Sequence, residues 1–421
     1  MGLNDTPGSE RKHIAFFGCR NAGKSSLLNA VTGQKFAIVS DVPGTTTDPV
    51  YKSMELLPAG PVVVIDTPGL DDVGELGELR IEKAKGVLRK TDLAILVVDS
   101  AKGFAPADES ILALIEERKI PVIKVYNKSD ISKNSIALSG QNDGTKADIP
   151  AETKAESGDS SLKADNANSV SLSVSALTGE GIFELKETIA RLLNESQNDK
   201  VLVGDLIAQC DLVVLVVPID KAAPKGRLIL PQQQTIRDLL DHGAIPLVCR
   251  DSELADVIAR YGSDAKLVIT DSQAFKKVSA IVPEEIPLTS FSILFSRYKG
   301  ELDYQLEGIK AVESLKDGDY VLIAEGCTHH RQCGDIGTEK IPAMLRKKAD
   351  VQIDFTQGTE YPDDLEKYKV IIHCGGCMLN EKEMKARIEA AKKHNVAITT
   401  YGMTIAYLTG VLERSMKPLQ S

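Results

Sequence analysis

Short apolar runs that alternate with helical stretches predict an α/β protein in three successive units: a P-loop GTPase domain, a small α/β unit and an α/β unit built on a parallel sheet. Three observations carry that prediction. "HIAFFGCRNAGKSSLLNAVTG" reads as strand, turn and helix. After about residue 200 the pattern restarts, with "CDLVVLVVPID", "QTIRDLLDHG" and "AIPLVCR" as strand, helix and strand, followed by "SELADVIARYG" as helix and "AKLVITDS" as strand. Beyond a helix over "YKGELDYQLEGIKAVESLKDGD", four more strands, "YVLIAEG", "VQIDFTQG", "YKVIIHCGG" and "AITTYGM", alternate with stretches such as "NEKEMKARIEAAKKHN". Strands alternating with helices pair in parallel with helices on the sheet faces, and ligands gather outside the carboxyl ends of such strands.

The bulk numbers agree. A chain of 421 residues exceeds one ordinary core, in keeping with two or three domains. With 43% hydrophobic and 26% charged residues and a mean hydropathy of −0.10, the composition is globular. The sequence shows neither an apolar run of about eighteen residues nor a secretory signal, so a cytoplasmic protein with no membrane partner is expected. A net charge of −10 argues against a nucleic-acid partner, whose phosphates demand clustered Lys and Arg. The polar opening "MGLNDTPGSE" is expected to be a flexible arm over residues 1–11.

Within the first unit, Gly18 to Ser25 matches G-x-x-x-x-G-K-S, the phosphate loop. Its glycines let the backbone N–H groups of Asn21, Ala22, Gly23 and their neighbours wrap phosphate oxygens. Lys24 neutralises the β/γ oxygens, Ser25 can ligate magnesium, and Ser26 follows in the helix. "VVVIDTPGL" ends a second strand at Asp66, placed for the magnesium shell, with Gly69 set to present an N–H to the γ-phosphate. "VPGTTTDP" lies between them, and Thr46 is its expected magnesium ligand, with Thr45 and Thr47 as close rivals. "VIKVYNKSD" ends a further strand with Asn127, Lys128 and Asp130. A carboxylate there accepts both N1–H and the 2-amino group of guanine, a donor pair that adenine lacks. "SLSVSALTGEG" supplies Ser175 and Ala176 for the guanine O6. Five elements in this order, each at a strand end, predict a GTP-binding domain that hydrolyses GTP.

This ordered set resembles the translation-factor-class GTPases, in the branch of tRNA-modification and ribosome-assembly (TrmE-Era-EngA-like) members, over about residues 12–195. The resemblance implies that Asn21 stands where potassium-stimulated members coordinate the monovalent ion. Leu70 stands where Ras-like proteins keep a water-positioning glutamine. Slow intrinsic hydrolysis is therefore expected, with potassium in place of an arginine finger and with Lys24, Asn21, Thr46 and Gly69 as the catalytic set. Asp71, Asp72 and Glu75 read as solvated acids. Residues 134–168, without an aromatic and rich in Ser, Asp, Ala, Asn and Lys, read as a disordered insertion.

The second unit carries no charged constellation, and an exposed sheet edge in so small a unit suggests dimerisation. Cys210 and Cys249 beside its apolar strands read as core thiols. The third unit holds Cys327, Cys333, Cys374 and Cys377 within fifty-one residues, along with His329, His330 and His373. Such crowding in a chain unsuited to disulfides points to a metal or redox site. Alone, "CGGC" between strand and helix fits a thioredoxin-type redox pair as well as a metal clip. "YVLIAEG" runs into "CTHH" as "KVIIH" runs into "CGGC", so a parallel sheet brings both clusters to one edge. Three thiolates then favour a metal, with His329, His373, Cys333 or Asp335 as candidate fourth ligands. Thiolate softness suits zinc and iron–sulfur alike.

"CTHH…HCGGC" behind this GTPase, together with "DVPGTTTDPVYK" and "APKGRLILPQQQTIRDLLD", resembles the FeFe-hydrogenase maturation GTPases (HydF family) over nearly the whole chain apart from the insertion. The resemblance implies a GTP-binding domain over 12–197, a dimerisation domain over 198–290 and an iron–sulfur cluster domain over 291–421. It implies a 4Fe-4S cluster on Cys327, Cys374 and Cys377, and a diiron precursor as cargo. The implied partners are a second copy of the chain, FeFe-hydrogenase and two radical-SAM maturation enzymes, and the implied cofactors are GTP, Mg2+ and K+. The alternative is a tRNA- or ribosome-directed GTPase with a structural zinc domain; a GTP-regulated disulfide reductase through Cys374 and Cys377 is a third.

Overall fold

A computed structural model describes residues 6–34, 48–69, 75–131, 163–166, 169–195, 200–218, 228–326, 335–358, 360–362 and 364–420. The chain divides into two compact units, Met1–Asn198 and Asp199–Ser421.

The first unit is one seven-stranded sheet with β1 Lys12–Phe17, β2 Val50–Leu56, β3 Gly60–Asp66, β4 Leu93–Asp99, β5 Val122–Asn127, β6 Lys163–Asn166 and β7 Ser169–Ser173, in the order β2-β3-β1-β4-β5-β7-β6. The edge strands β2 and β6 run antiparallel to their neighbours and the five inner strands run parallel. Helices α1 Lys24–Thr32, α2 Glu75–Leu88, α3 Pro106–Glu117 and α4 Ile182–Glu195 connect them. Strand alternation divides β1 between two cores. Ile14 and Phe16 face Leu27, Leu28 and Ile189, whereas Ala15 and Phe17 face Val87, Leu88, Ile111 and Ile115. Strand β4 is buried along its whole length, as its unbroken apolar run requires of a central parallel strand.

Two expectations change in this unit. The arm 1–11 ends in structure, because Thr6–Arg11 forms a turn. Arg11 is buried there, donating to Thr6 O and Met54 O at 2.9 Å each, which ties the arm to β2. The insertion 134–168 also ends in structure: Lys163–Asn166 pairs with β7, whose outer edge otherwise offers unpaired backbone groups. The rest of that segment lies outside the described residues.

The second unit carries two four-stranded parallel sheets. One has β8 Leu212–Val216, β9 Ile245–Cys249, β10 Ala265–Thr270 and β11 Leu288–Ser290, in the order β11-β10-β8-β9. The other has β12 Tyr320–Glu325, β13 Gln352–Gln357, β14 Val370–His373 and β15 Ala397–Thr400, in the order β13-β12-β14-β15. Its helices are α5 Leu230–Asp241, α6 Leu254–Tyr261, α7 Phe275–Ile281, α8 Phe291–Lys299, α9 Leu302–Glu313, α10 Ile341–Arg346, α11 Glu381–Lys393, α12 Tyr401–Leu408 and α13 Leu412–Met416. One core packs Val214, Val216 and Val268 of the first of these sheets against Ile293 of α8, Ile309 of α9 and Met403 and Ala406 of α12. Ser290 at the end of β11 caps α8 by accepting from Ile293 N, so a boundary at 290/291 would cut a helix from its cap. Cys249 is a core thiol as expected. Cys210 is exposed, in a positive-φ turn just before β8 and not in the strand itself. Among the described residues, no helix is long and apolar enough to cross a membrane.

Candidate functional site

In the first unit the carboxyl ends of β1, β3 and β5 bring the expected nucleotide residues together. Gly18 has φ +140, and a Cβ there would stand 2.2 Å from Val97 O; Gly23 has φ +89, and a Cβ would stand 2.3 Å from Asn127 Nδ2. Only glycine fits either place. Exposed Asn21 is left-handed as well, at φ 61. Buried Lys24 folds back over the loop and donates to Gly18 O and Cys19 O, both at 2.8 Å. Ser25 Oγ donates to Asp66 Oδ2 at 3.0 Å. The second oxygen, Asp66 Oδ1, is buried with no hydrogen-bond partner. Burial pushes the Asp66 carboxyl above its ordinary range against the opposing pull of Ser25 and Lys24. An orphaned, desolvated carboxylate oxygen beside a serine hydroxyl fits a magnesium shell. Gly69 crowds Arg20, a Cβ at this point standing 3.0 Å from its backbone.

On the guanine side, Asn127 Nδ2 donates to Ala22 O at 3.0 Å, and Asn127 Oδ1 accepts from Ala176 N at 3.1 Å. Ser175 Oγ donates to Asp130 Oδ1 at 2.6 Å and accepts from Thr178 N at 3.1 Å. Lys128 Nζ donates to Asn21 O at 2.7 Å and to Asp99 Oδ2 at 2.6 Å. Burial works to raise the Asp99 carboxyl, but Lys128 and the Ala101 N–H hold it below its ordinary range. Ser26 is exposed on α1. Thr45, Thr46, Thr47, Leu70, Asp71 and Asp72 lie outside the described residues.

Sequence reasoning missed two supports. Asp108, buried on α3, accepts from Cys19 N at 3.2 Å through one oxygen and from Ala105 N at 3.1 Å through the other, so it braces the phosphate loop. Asp99 anchors Lys128. The only sequence signal for Asp99 was a carboxylate at the end of a fully apolar strand; Asp108 read as an ordinary first-turn helix acid.

In the second unit β12 and β14 are parallel neighbours, with Ala324 opposite His373, so "EG" and "HC" end side by side. Cys374 N donates to Ala324 O at 2.9 Å, and Gly326 N donates to Cys374 Sγ at 3.0 Å. Gly376 turns the loop at φ 63 and Asn380 caps α11 by accepting from Glu383 N. Burial pushes the Cys374 thiol up to about 11, with Cys377 adding to it, and burial also raises Cys377 against the nearby Lys299 ammonium. His373 is fully buried, and both ring nitrogens are engaged: Nδ1 with Cys374 O at 2.7 Å and Nε2 with Arg387 Nη1 at 2.9 Å. That removes His373 from the candidate fourth ligands in this arrangement. Burial and the Arg387 charge push its imidazole down to about 3, so it is neutral. Asp335 caps the turn Ile336–Lys340, its Oδ1 accepting from the Thr338 N–H and hydroxyl. Cys327, His329, His330 and Cys333 lie outside the described residues, among which no group of three His, Cys, Asp or Glu converges as a metal site.

Comparison with known proteins fits this anatomy. The sequence model described as the hydrogen maturase F dimerization domain matches residues 202–300, and the hydrogen maturase F tetramerization domain matches 303–418. The chain belongs to the hydrogen maturase F family. A third match, 50S ribosome-binding GTPase, covers residues 13–128 of this family member and marks its N-terminal unit as a P-loop GTPase domain. Curated relatives match that unit. A tRNA modification GTPase MnmE of Chromobacterium violaceum is 38% identical over 31% of this chain and 29% of its own. A GTPase Der of Kosmotoga olearia is 37% identical over 28% of each chain. A GTPase Era of Carboxydothermus hydrogenoformans is 34% identical over 43% of this chain and 55% of its own. The chain thus spans between about a quarter and just over half the length of these relatives. Among solved structures, an Aquifex aeolicus Era aligns with a TM-score of 0.32 at 20% identity, over 56% of this chain and 92% of that one.

Proposed function

We propose that this chain is a GTP-hydrolysing iron–sulfur scaffold that assembles the diiron subcluster precursor and delivers it to FeFe-hydrogenase. The observation that carries the proposal is the Gly326 N–H on Cys374 Sγ at 3.0 Å. It ties the residue before Cys327 to the first cysteine of "CGGC", inside domains of the hydrogen maturase F family. N–H groups aimed at sulfur and soft thiol donors fit an iron–sulfur cluster. Cys327, Cys374 and Cys377 would hold it, with His329, Cys333 or Asp335 as fourth ligand, and it would supply the attachment point for the cargo.

Hydrolysis belongs to the first unit. GTP draws Lys24 from the loop carbonyls to its β/γ oxygens, and Gly69 presents an N–H to the γ-phosphate. Asp130 and Ala176 read the guanine. Ser25, Thr46 and Asp66 would hold magnesium, which neutralises charge on the phosphates. Asn21, exposed and left-handed, would hold the potassium ion whose charge takes the place of an arginine finger. Hydrolysis changes the contacts made with partner proteins, namely the hydrogenase and the two radical-SAM enzymes. The chain pairs with a second copy through the β9 edge, where Ile245 is 52% and Val248 45% exposed.

The test is transfer. Full-length protein loaded anaerobically with the diiron precursor should activate hydrogenase that lacks its subcluster, measured as hydrogen evolution. A loaded protein that leaves the hydrogenase inactive would refute the scaffold role. GTP turnover should be several-fold faster in potassium than in sodium; equal rates would remove Asn21 from the mechanism.

A further inference from the structure

Arg387 stands on α11, one turn beyond Glu383, and is 1% exposed. A guanidinium out of water persists only when its N–H groups are paired. Here Nε donates to Glu383 Oε1 at 3.0 Å, Nη2 to Gly358 O at 2.6 Å and Nη1 to His373 Nε2 at 2.9 Å. The guanidinium also lies over the Tyr361 ring, 4.9 Å from its centre. A guanidinium offers donors and no acceptor. His373 Nε2 must therefore accept, the ring proton sits on Nδ1, and Nδ1–H donates to Cys374 O at 2.7 Å. The Cys374 backbone is then held twice, through its N–H on Ala324 O and through its own carbonyl. Past the far end of the loop Lys299, 2% exposed, donates to Leu379 O at 3.0 Å. Two buried cations therefore fix the first carbonyl of "CGGC" and one just beyond its end, the first through an imidazole and the second directly.

We propose that Arg387 is the positioning residue of the cysteine loop: it holds His373 as the Nδ1–H tautomer, so that the histidine fixes the Cys374 carbonyl and does not itself ligate metal. The tautomer belongs to the metal-free chain; only the statement about ligation rests on the scaffold reading. A buried pair that merely stabilised α11 would not need its guanidinium aimed at the ring beside a ligand.

The two parts are tested separately. In the full-length metal-free protein with isotope-labelled histidine, long-range proton–nitrogen correlations at neutral pH report the tautomer. His373 is assigned among the six histidines by its loss in His373→Asn. Wild type should show a bare Nε2, Arg387→Gln a mixture or the opposite tautomer, and Arg387→Lys a partial return. A wild-type His373 protonated on Nε2, or no change in Arg387→Gln, overturns the proposal. After anaerobic loading with iron and sulfide, pulsed EPR should show no histidine nitrogen coupled to the cluster of wild type. In Arg387→Gln such a coupling should appear, vanish on adding His373→Asn, and accompany roughly tenfold faster loss to a chelator. A His373 coupling in wild type overturns the ligation half. If wild type takes up no cluster, the scaffold reading fails while the tautomer measurement still decides the rest. Should Arg387→Gln fail to fold, His373→Asn keeps a donor near the Nδ1 position and His373→Ala does not. The asparagine variant should retain its cluster like wild type and the alanine variant lose it about tenfold faster; equal retention overturns the proposal.

Discussion

Gly23 is the phosphate-loop glycine that packs against the guanine side. Its φ of +89 excludes an L side chain, and a Cβ would meet Asn127 Nδ2 at 2.3 Å, the atom that ties the loop to the guanine side. Gly23→Ala is therefore expected to weaken nucleotide binding by roughly 10- to 100-fold, the equivalent of one to three kcal/mol of backbone strain. Titration with a fluorescent GTP analogue measures this, and an unchanged affinity would contradict the geometry. Asp66 makes a second prediction. Asp66→Asn keeps an acceptor for Ser25 but removes the charge from the oxygen that has no partner. The magnesium concentration needed for half-maximal GTP turnover should rise by about tenfold or more; a superimposable magnesium curve would exclude Asp66 from the shell.

At the scale of the element, two contacts carry predictions. Helix α9 lies so close to β15 that a Cβ on Gly308 would stand 2.2 Å from Ile398 O. Gly308→Ala should destabilise the second unit by about 1–3 kcal/mol through overpacking, although alanine is the better helix former. Denaturant unfolding followed in the second unit checks this; a gain in stability would show that the helix can move away. Strand β9 is a sheet edge with exposed Ile245 and Val248, so, with the proposed pairing through this edge, Ile245→Lys should lower the oligomeric state seen by light scattering while leaving the fold intact. An unchanged oligomeric state would place the interface elsewhere.

Legibility followed the range of the interactions. Among the described residues, the candidate nucleotide residues could be placed from the sequence because each lies on a loop or helix start that follows an apolar strand, within a few residues of a glycine or a turn. The parallel pairing of β12 with β14 was readable for the same reason, and with it the approach of "EG" to "HC". Asp108 was not readable: its bond to Cys19 N spans 89 positions, and no local pattern distinguishes it from a first-turn helix acid. Arg387 was hidden more thoroughly. In "NEKEMKARIEAAKKHN" it forms an i, i+4 pair with Glu383, the ordinary mark of a solvated helix face. In the fold that face turns inward beside Met384 and Ile388 and meets His373. The sequence showed a histidine next to a cysteine; only the tertiary arrangement shows both its nitrogens already spent.

At the scale of the molecule, the chain joins a GTPase unit, whose site is built from strand ends of one sheet, to a unit whose cysteine loop is built from strand ends of another. Burial pushes both thiols of "CGGC" up, Cys374 to about 11, so binding a metal there must release protons. The most direct measurement is anaerobic reconstitution of the full-length protein with iron and sulfide, followed by absorption and EPR spectroscopy of wild type, Cys327→Ala, Cys374→Ala and Cys377→Ala. If the three cysteines hold the cluster, the wild-type protein should be brown with a 4Fe-4S signal on reduction, lost or strongly depleted in each cysteine variant while GTP turnover is kept. Tightly held zinc and no chromophore, or a cluster indifferent to all three cysteines, would contradict it.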